Sequence, residues 1–300
     1  MTATRAQWAS YLAYRGVAGA LRFVPRSAVE PLGRAAGFAA AALSRSQRRV
    51  VRANMRRVLG PELSAAALDR VVTEAFCSYA RYWVESARVG TLRPDEIESC
   101  FSIEGFERLR LEMAKGRGVV VALPHVGSWE YGGRWLAQQG YPMTVVGELL
   151  EPPEMFQWFT SLRAALGLTV LPPGPETSVR LLDTLRSGRI LGLVSDRDLT
   201  GTGVEVEFFG ETTTLPGGPA LLALRSGAAL MPCAIYQRPH GRYHAVLPPP
   251  LDTQRTGALR QDVQRVTQDM AHALEDLIRA APEQWHLFQP NWPSDRTPAG

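Results

Sequence analysis

Cysteine is scarce in this 300-residue chain: only Cys77, Cys100 and Cys233 occur, odd in number and widely spaced. Neither a disulfide framework nor a zinc site is expected from them, and they read as small apolar fillers. No run of about twenty apolar residues exists, and the segment 35–43 is too short to span a bilayer. The start, Met-Thr-Ala-Thr-Arg-Ala-Gln-Trp, lacks the apolar core and small-residue cleavage site of a signal peptide, so the chain is expected in the cytoplasm. Histidine is also sparse. His240, His244, His272 and His286 show no mutual spacing for a metal, and structural roles are expected of them. No repeat period and no internal boundary are visible, so residues 1–300 read as one domain, with only the ends, about 1–5 and 294–300, dispensable. With 45% hydrophobic residues there is ample material for one core.

Acid is nearly missing from the front of the chain. Between Met1 and Arg57 there are eleven arginines and one carboxylate, Glu30, although the net charge is only +4. A basic, amphipathic segment can bind nucleic acid or anionic lipid, and what accompanies the charge discriminates. Trp8, Tyr11, Leu12, Tyr14, Val17, Leu21 and Phe23 interleave with Arg5, Arg15 and Arg22. Aromatic and aliphatic bulk among cations is the profile of a helix lying in a membrane interface, and it equally suits a helix packed on the core with solvated arginines. Residues 45–60 read as a second basic helix ended by Gly60. From Ser64 to Val89 helical spacing continues, and Tyr79, Tyr82 and Trp83 there suit either an acyl channel or plain core. Residues 1–90 therefore form a basic, mainly helical part packed on an α/β part, 91–293.

Beyond a connector with a short strand, 92–104, and a helix at 106–115, strand-like and helix-like segments alternate. Strands are expected at Gly118–Leu123, Met143–Val146, Leu168–Leu171, Ile190–Ser195, Val204–Phe209, Ala229–Tyr236 and Tyr243–Leu247. Helices are expected at Ser128–Gln139, Glu154–Leu166, Glu176–Arg186, Gly217–Ser226 and Gly257–Ala281. Such alternation indicates an α/β fold with a mostly parallel central sheet and helices on both faces. The last two or three strands, joined by turns such as His240-Gly241, suit antiparallel pairing.

The stretch that carries chemistry is 118–133. Val119 to Leu123 form a continuous apolar run, a strand buried on both faces, and helical spacing begins after Ser128. His125 thus lies on a strand-to-helix connection, where open α/β sheets place their sites. Glu130, in the first helical turn, can reach back to the imidazole and fix its tautomer. The Gly127 and Ser128 backbone N–H groups, at the helix start, suit an oxyanion or an acceptor phosphate.

His-x-x-x-x-Glu after a hydrophobic strand and Pro124 resembles the His-x4-Asp/Glu motif of the glycerolipid and lysophospholipid acyltransferases. Ser-Asp-Arg-Asp-Leu-Thr (195–200), Glu-Phe-Phe-Gly (207–210) and Gly-Gly-Pro-Ala-Leu-Leu-Ala-Leu (217–224) follow in the order of the branch that contains the bacterial lipid A acyltransferases. Within that branch the likeness, from about residue 8 to 293, is to members that acylate phosphatidylinositol mannoside. The resemblance implies a catalytic carboxylate at Asp196, a glutamate in those members, paired with the histidine; Glu130 is an aspartate there. Which of Asp196 and Glu130 meets His125 stays open. It also implies that Arg163 faces the active-site groove and that Phe208, Phe209, Gly217 and Gly218 border the acceptor and acyl chain; Arg163 and Arg197, the latter next to Asp196, suit substrate phosphates or surface ion pairs.

The chemistry follows from the residues. A hydroxyl is a poor nucleophile and a thioester is already activated, so an enzyme must chiefly remove a proton during attack. An imidazole, with an ordinary pKa of about 6.5, is suited to that and contributes about 10²- to 10⁴-fold. The resemblance implies transfer of a long acyl chain from acyl-CoA, a co-substrate with no further cofactor, or from a carrier-protein thioester, to a mannose of an anionic membrane glycolipid, and the chemistry assigns His125 as general base. The setting it implies is peripheral, on the cytoplasmic face of the plasma membrane. A chain with one lysine against 32 arginines suits a high-GC genome. Alternatives are acylation of a lipid A precursor or other lysolipid, and an acyl thioesterase.

Overall fold

The structure is a computed structural model that describes residues 4–149 and 151–296; the remaining residues and the side chains of Arg5, Ala6, Ala9, Ser10 and Arg296 lie outside the described residues. Four helices come first: α1 (Arg5–Leu21), α2 (Arg26–Leu43), α3 (Arg45–Leu59) and α4 (Ala65–Val89). Thr4 caps α1, its side chain accepting from the Gln7 N–H. α2 packs directly on α4, where a Cβ on Gly37 would fall 2.3 Å from the Cys77 Cα and one on Gly33 2.7 Å from that of Arg81. Only glycine permits that approach. Asn54 of α3 donates to the Leu287 carbonyl at 2.9 Å, and Arg26 of α2 reaches the carbonyls of His240 and Gly241. The basic helices are thereby joined to the α/β part by one buried and two exposed polar contacts as well as by packing.

The α/β part runs α5 (Pro94–Cys100), β1 (Phe101–Glu104), α6 (Phe106–Ala114), β2 (Val119–Leu123), α7 (Trp129–Gln138), β3 (Met143–Val146), α8 (Pro153–Ala165) and β4 (Thr169–Leu171). It continues through α9 (Thr177–Arg186), β5 (Ile190–Val194), β6 (Val204–Phe208), β7 (Glu211–Leu215), α10 (Gly218–Ser226), β8 (Ala229–Pro232), β9 (Ala234–Arg238), β10 (Arg242–Val246) and α11 (Leu259–Arg279). Five strands form an all-parallel sheet in the order β4-β3-β5-β2-β8. Every residue of β2 is buried, as its unbroken apolar run requires. Leu123 at the end of β2 pairs with Val194 at the end of β5. The loops leaving these neighbours therefore start side by side.

Two expectations are corrected. The segment 229–236 is not one strand: Pro232 ends β8, and the chain bends at Cys233, whose N–H bonds to the Ala122 carbonyl. β9 then joins a second sheet, β1-β10-β9, in which β10 runs parallel to β1 and antiparallel to β9. A proline is tolerated there because β8 is an edge strand. Strand β7 is additional, pairing antiparallel with β6 around a turn in which Phe209 and Gly210 both take positive φ, 53° and 74°. That backbone is the two-residue hairpin turn that twisted strands favour.

Candidate active site

His125 sits in the loop 124–128 just beyond β2. The loop folds back sharply, the Val126 N–H bonding to the Pro124 carbonyl at 2.7 Å, and Gly127 adopts a φ of 60°. A Cβ on Gly127 would meet the Ile235 carbonyl oxygen at 2.0 Å, so glycine is required twice over, by conformation and by contact. The imidazole Nδ1 is 2.6 Å from Oδ1 of Asp196, and the backbone N–H of His125 donates to Oδ2 at 3.0 Å. The His125 side chain keeps 23% of its surface exposed while that of Asp196 is fully buried. Among the described residues Nε2 has no hydrogen-bond partner. An Nδ1–H held by a buried carboxylate leaves a lone pair on Nε2 of a part-exposed ring, able to take a proton.

Asp196 lies two residues beyond the end of β5. Burial alone would push its carboxyl upward, but the neighbouring imidazole and the hydrogen bonds from His125 and Trp285 outweigh it and hold the group below the usual carboxylate range. The ionised form is therefore the one this site stabilises.

Glu130 does not reach His125. Its carboxylate turns toward α4 and α8, accepting from the Tyr82 hydroxyl at 2.9 Å, the Arg163 guanidinium at 3.3 Å and the Ser86 hydroxyl at 3.5 Å. Burial and the Glu130 charge push the Tyr82 phenol well up, so it remains a donor. The proposed anion-binding N–H groups are also occupied: Gly127 N–H bonds to the Gln284 carbonyl and Ser128 N–H to that of Ile235, each at 3.0 Å. The Ser128 side chain is buried and donates to Glu85, inside a network in which Arg81 pairs with Glu85 at 2.6 Å and Gln237 donates to Glu85 at 3.0 Å. Ser128 thus anchors the loop from beneath and does not face a ligand.

The remaining residues expected at the site divide. Arg163 pairs with Glu130, and Arg197 pairs with Glu148 at 3.2 Å and bonds to Gln289, while the Arg197 Nε is buried without a partner. Phe208 is fully buried, stacked on Trp292, and Phe209 lies under Arg279 with its ring 5.7 Å from that of Trp285. They are core residues behind the site. Gly217 packs on Val204, and Gly218 is exposed; the structure does not bring this pair together with His125.

An apolar cavity of about 240 Å³ lies on the Glu130 side, walled by Tyr14, Val17 and Ala18 of α1, Tyr82 and Trp83 of α4, and Phe159 of α8. Tyr82 touches both regions, its ring 4.3 Å from Trp129, which in turn stands edge-on to His125 at 5.7 Å.

From the sequence Trp285, Trp292 and the proline-rich end read as a C-terminal clasp and not a binding element, and the structure brings this segment to the site as well. Trp285, fully buried, donates from its indole N–H to Asp196 Oδ2 at 2.7 Å, and the Asn291 amide donates to the Asp196 carbonyl at 3.1 Å. The His286 N–H bonds to the His125 carbonyl at 2.7 Å. Its ring lies buried against Ser78 at 2.9 Å. The available signal was the tryptophan itself, since a buried indole N–H needs an acceptor.

This arrangement, a part-exposed imidazole backed by a buried acid at the carboxyl edge of a parallel sheet, is suited to deprotonating a hydroxyl. Family comparison gives the class: a profile described as bacterial lipid A biosynthesis acyltransferase matches residues 3–294. The chain belongs to that family and is an acyltransferase. Among similar proteins, the phosphatidylinositol mannoside acyltransferase of Mycobacterium tuberculosis is 39% identical over 251 residues, 82% of this chain and 77% of that protein. The enzyme of the same description from Mycolicibacterium smegmatis is 36% identical over 249 residues, 82% and 79% of the two chains. The lipid A biosynthesis palmitoleoyltransferase of Escherichia coli is 22% identical over 228 residues, 75% and 72%.

Proposed function

We propose that this acyltransferase moves a long fatty acyl chain from acyl-CoA to a sugar hydroxyl of a membrane glycolipid, a mannose of phosphatidylinositol mannoside. The observation that carries the reading is the 2.6 Å contact between His125 Nδ1 and Asp196, with Nε2 free. His125 acts as general base on the acceptor hydroxyl. Its oxygen attacks the thioester carbonyl, the C–S bond breaks as the intermediate collapses, and the imidazolium returns the proton to the departing thiolate. No acyl-enzyme is needed.

The cavity beside Glu130 suits the acyl chain: its walls are almost wholly apolar, and Tyr82 and Trp129 connect it to the imidazole. Arg163 and Arg197 are the cations available for phosphates of the donor or acceptor. The mannoside acceptor is favoured over a lipid A precursor by the names of the relatives at 36–39% identity. No helix among the described residues is long and apolar enough to cross a membrane, while α1 and the turn after it present Leu12, Val17 and Phe23 to solvent among arginines. The exposed apolar residues among arginines support a peripheral attachment, for which we propose the cytoplasmic face. Incubating purified protein with palmitoyl-CoA and a panel of glycolipids, with products read by mass and His125→Ala as control, tests the proposal. Acylated mannoside formed by the unsubstituted protein alone is expected; release of free fatty acid at full rate without acceptor would instead identify a thioesterase.

A further inference from the structure

We infer that Trp285 is a positioning residue for the His125–Asp196 pair, and that the C-terminal segment 284–291 is part of the catalytic apparatus through it. A carboxylate beside an imidazole can tilt about its own bond, and only one orientation keeps Oδ1 in line with Nδ1. In this site Oδ2 receives two donors, the His125 backbone N–H at 3.0 Å and the Trp285 indole N–H at 2.7 Å. The first moves with the loop that carries His125. The second comes from a residue with no exposed surface, wedged among Phe208, Phe209 and Trp292. Trp285 is therefore the side-chain donor to the carboxylate that comes from outside the loop carrying the histidine.

The backbone around Trp285 is tied to the same loop. Trp285 faces Val126 in an isolated antiparallel bridge, flanked by the hydrogen bond from Gly127 to Gln284 and that from His286 to His125. Asn291 closes the arrangement on the Asp196 carbonyl. Both members of the pair are thus registered against one segment distant from them in the chain.

The consequence is chemical. While Asp196 Oδ1 accepts from Nδ1–H, the ring is held in the tautomer that leaves Nε2 bare, the form a base requires. If the carboxylate tilts, the ring is free to carry its proton on Nε2 and cannot accept one there.

The experiment uses the full chain with nitrogen-15-labelled histidine, His125 being assigned by His125→Ala. In the unsubstituted protein at neutral pH, the two ring-nitrogen shifts are expected to report the Nδ1–H tautomer. In Trp285→Phe, which removes the donor, the Nε2–H form gains population and kcat falls by up to about 10²-fold with KM for the thioester little changed. Trp292→Phe is the control, because that buried indole donates to the Phe208 carbonyl at 3.2 Å and not to Asp196. It should leave both tautomer and kcat alone. Should Trp285→Phe not fold, 3-benzothienylalanine at position 285 keeps the bicyclic shape and replaces the N–H by sulfur. An unchanged tautomer in the position-285 variant, or an equal change in Trp292→Phe, overturns the inference. The kinetic arm rests on the proposed acyl transfer and the spectroscopic arm does not. A tautomer shift in a protein that transfers no acyl group would sink the function and leave the positioning role standing.

Discussion

Asp196 Oδ1 and His125 Nδ1 meet at 2.6 Å although 71 residues separate them in the chain. They meet because β2 and β5 are adjacent parallel strands that end in register. Replacing Asp196 by asparagine keeps the size but offers an amide to the ring or loses the charge that steadies the imidazolium. Acyl transfer by Asp196→Asn should fall about 10²- to 10⁴-fold with KM nearly constant, read by initial rates with palmitoyl-CoA.

Glu130 presents the opposite expectation. Its partners are Tyr82, Ser86 and Arg163, so Glu130→Gln removes a buried charge from beneath the cavity without touching the imidazole. Turnover should stay within a few-fold of the unsubstituted enzyme, while urea denaturation shows about 1–3 kcal/mol lost from the bonds to Arg163 and Tyr82. A turnover loss as large as that of Asp196→Asn would restore Glu130 to the relay.

The contrast between these two acids marks where the sequence stopped being legible. β2 could be read from five consecutive apolar residues, and Asp196 could be put on the same sheet edge by counting strands. The direction of the Glu130 side chain could not. It depends on how sharply the loop 124–128 folds back, and that fold is set by contacts with Ile235 and Gln284, more than a hundred residues away. β7 escaped because Glu-Thr-Thr-Thr-Leu lacks clear apolar alternation; its pairing with β6 comes from the turn at Phe209-Gly210. The motif at Phe208 and Phe209 resembles a binding segment, yet Trp285 and Trp292 pack against both rings and bury them.

If the cavity beside Glu130 holds the acyl chain, bulk on its α1 wall should shorten the preferred donor. Ala18 lines that wall and carries only a methyl group. Denying burial to a methylene costs about 0.8 kcal/mol, so excluding three corresponds to roughly 50-fold in relative kcat/KM. Ala18→Phe should lower the preference for palmitoyl-CoA over octanoyl-CoA by about that factor in a competition assay. An unaltered length profile would move the acyl chain elsewhere.

Attachment through α1 has its own measurement. Leu12 and Phe23 are 60% and 88% exposed, and each large apolar side chain withdrawn from water contributes about 1.5–3 kcal/mol. The double substitution Leu12→Ser with Phe23→Ser should weaken cosedimentation with anionic vesicles by about 10²-fold, without altering the far-ultraviolet circular dichroism. Binding that survives the change and disappears only in high salt would assign attachment to the arginines alone.

His286 makes stability depend on acidity. Ser78 donates its hydroxyl proton to Gln237, so its oxygen accepts from Nε2–H of His286, and Nδ1 is left buried with no partner. Protonating Nδ1 would place a charge where no acceptor faces it. Burial, with the nearby His125 adding to it and Asp196 opposing, depresses the ring to about 3. The unfolded chain takes up this proton below about 6.5, and the folded one does not until far lower, so stability falls steadily as pH drops through that window. Asp196, also held down in the folded state, adds a loss of the same sign at the acid end. At pH 4 the histidine contribution alone amounts to about 3 kcal/mol. His286→Gln keeps a donor for Ser78 and removes the titration. Urea unfolding between pH 7 and 4 should therefore cost the unsubstituted protein about 3 kcal/mol more than the variant, and parallel curves would show that the ring is not held neutral.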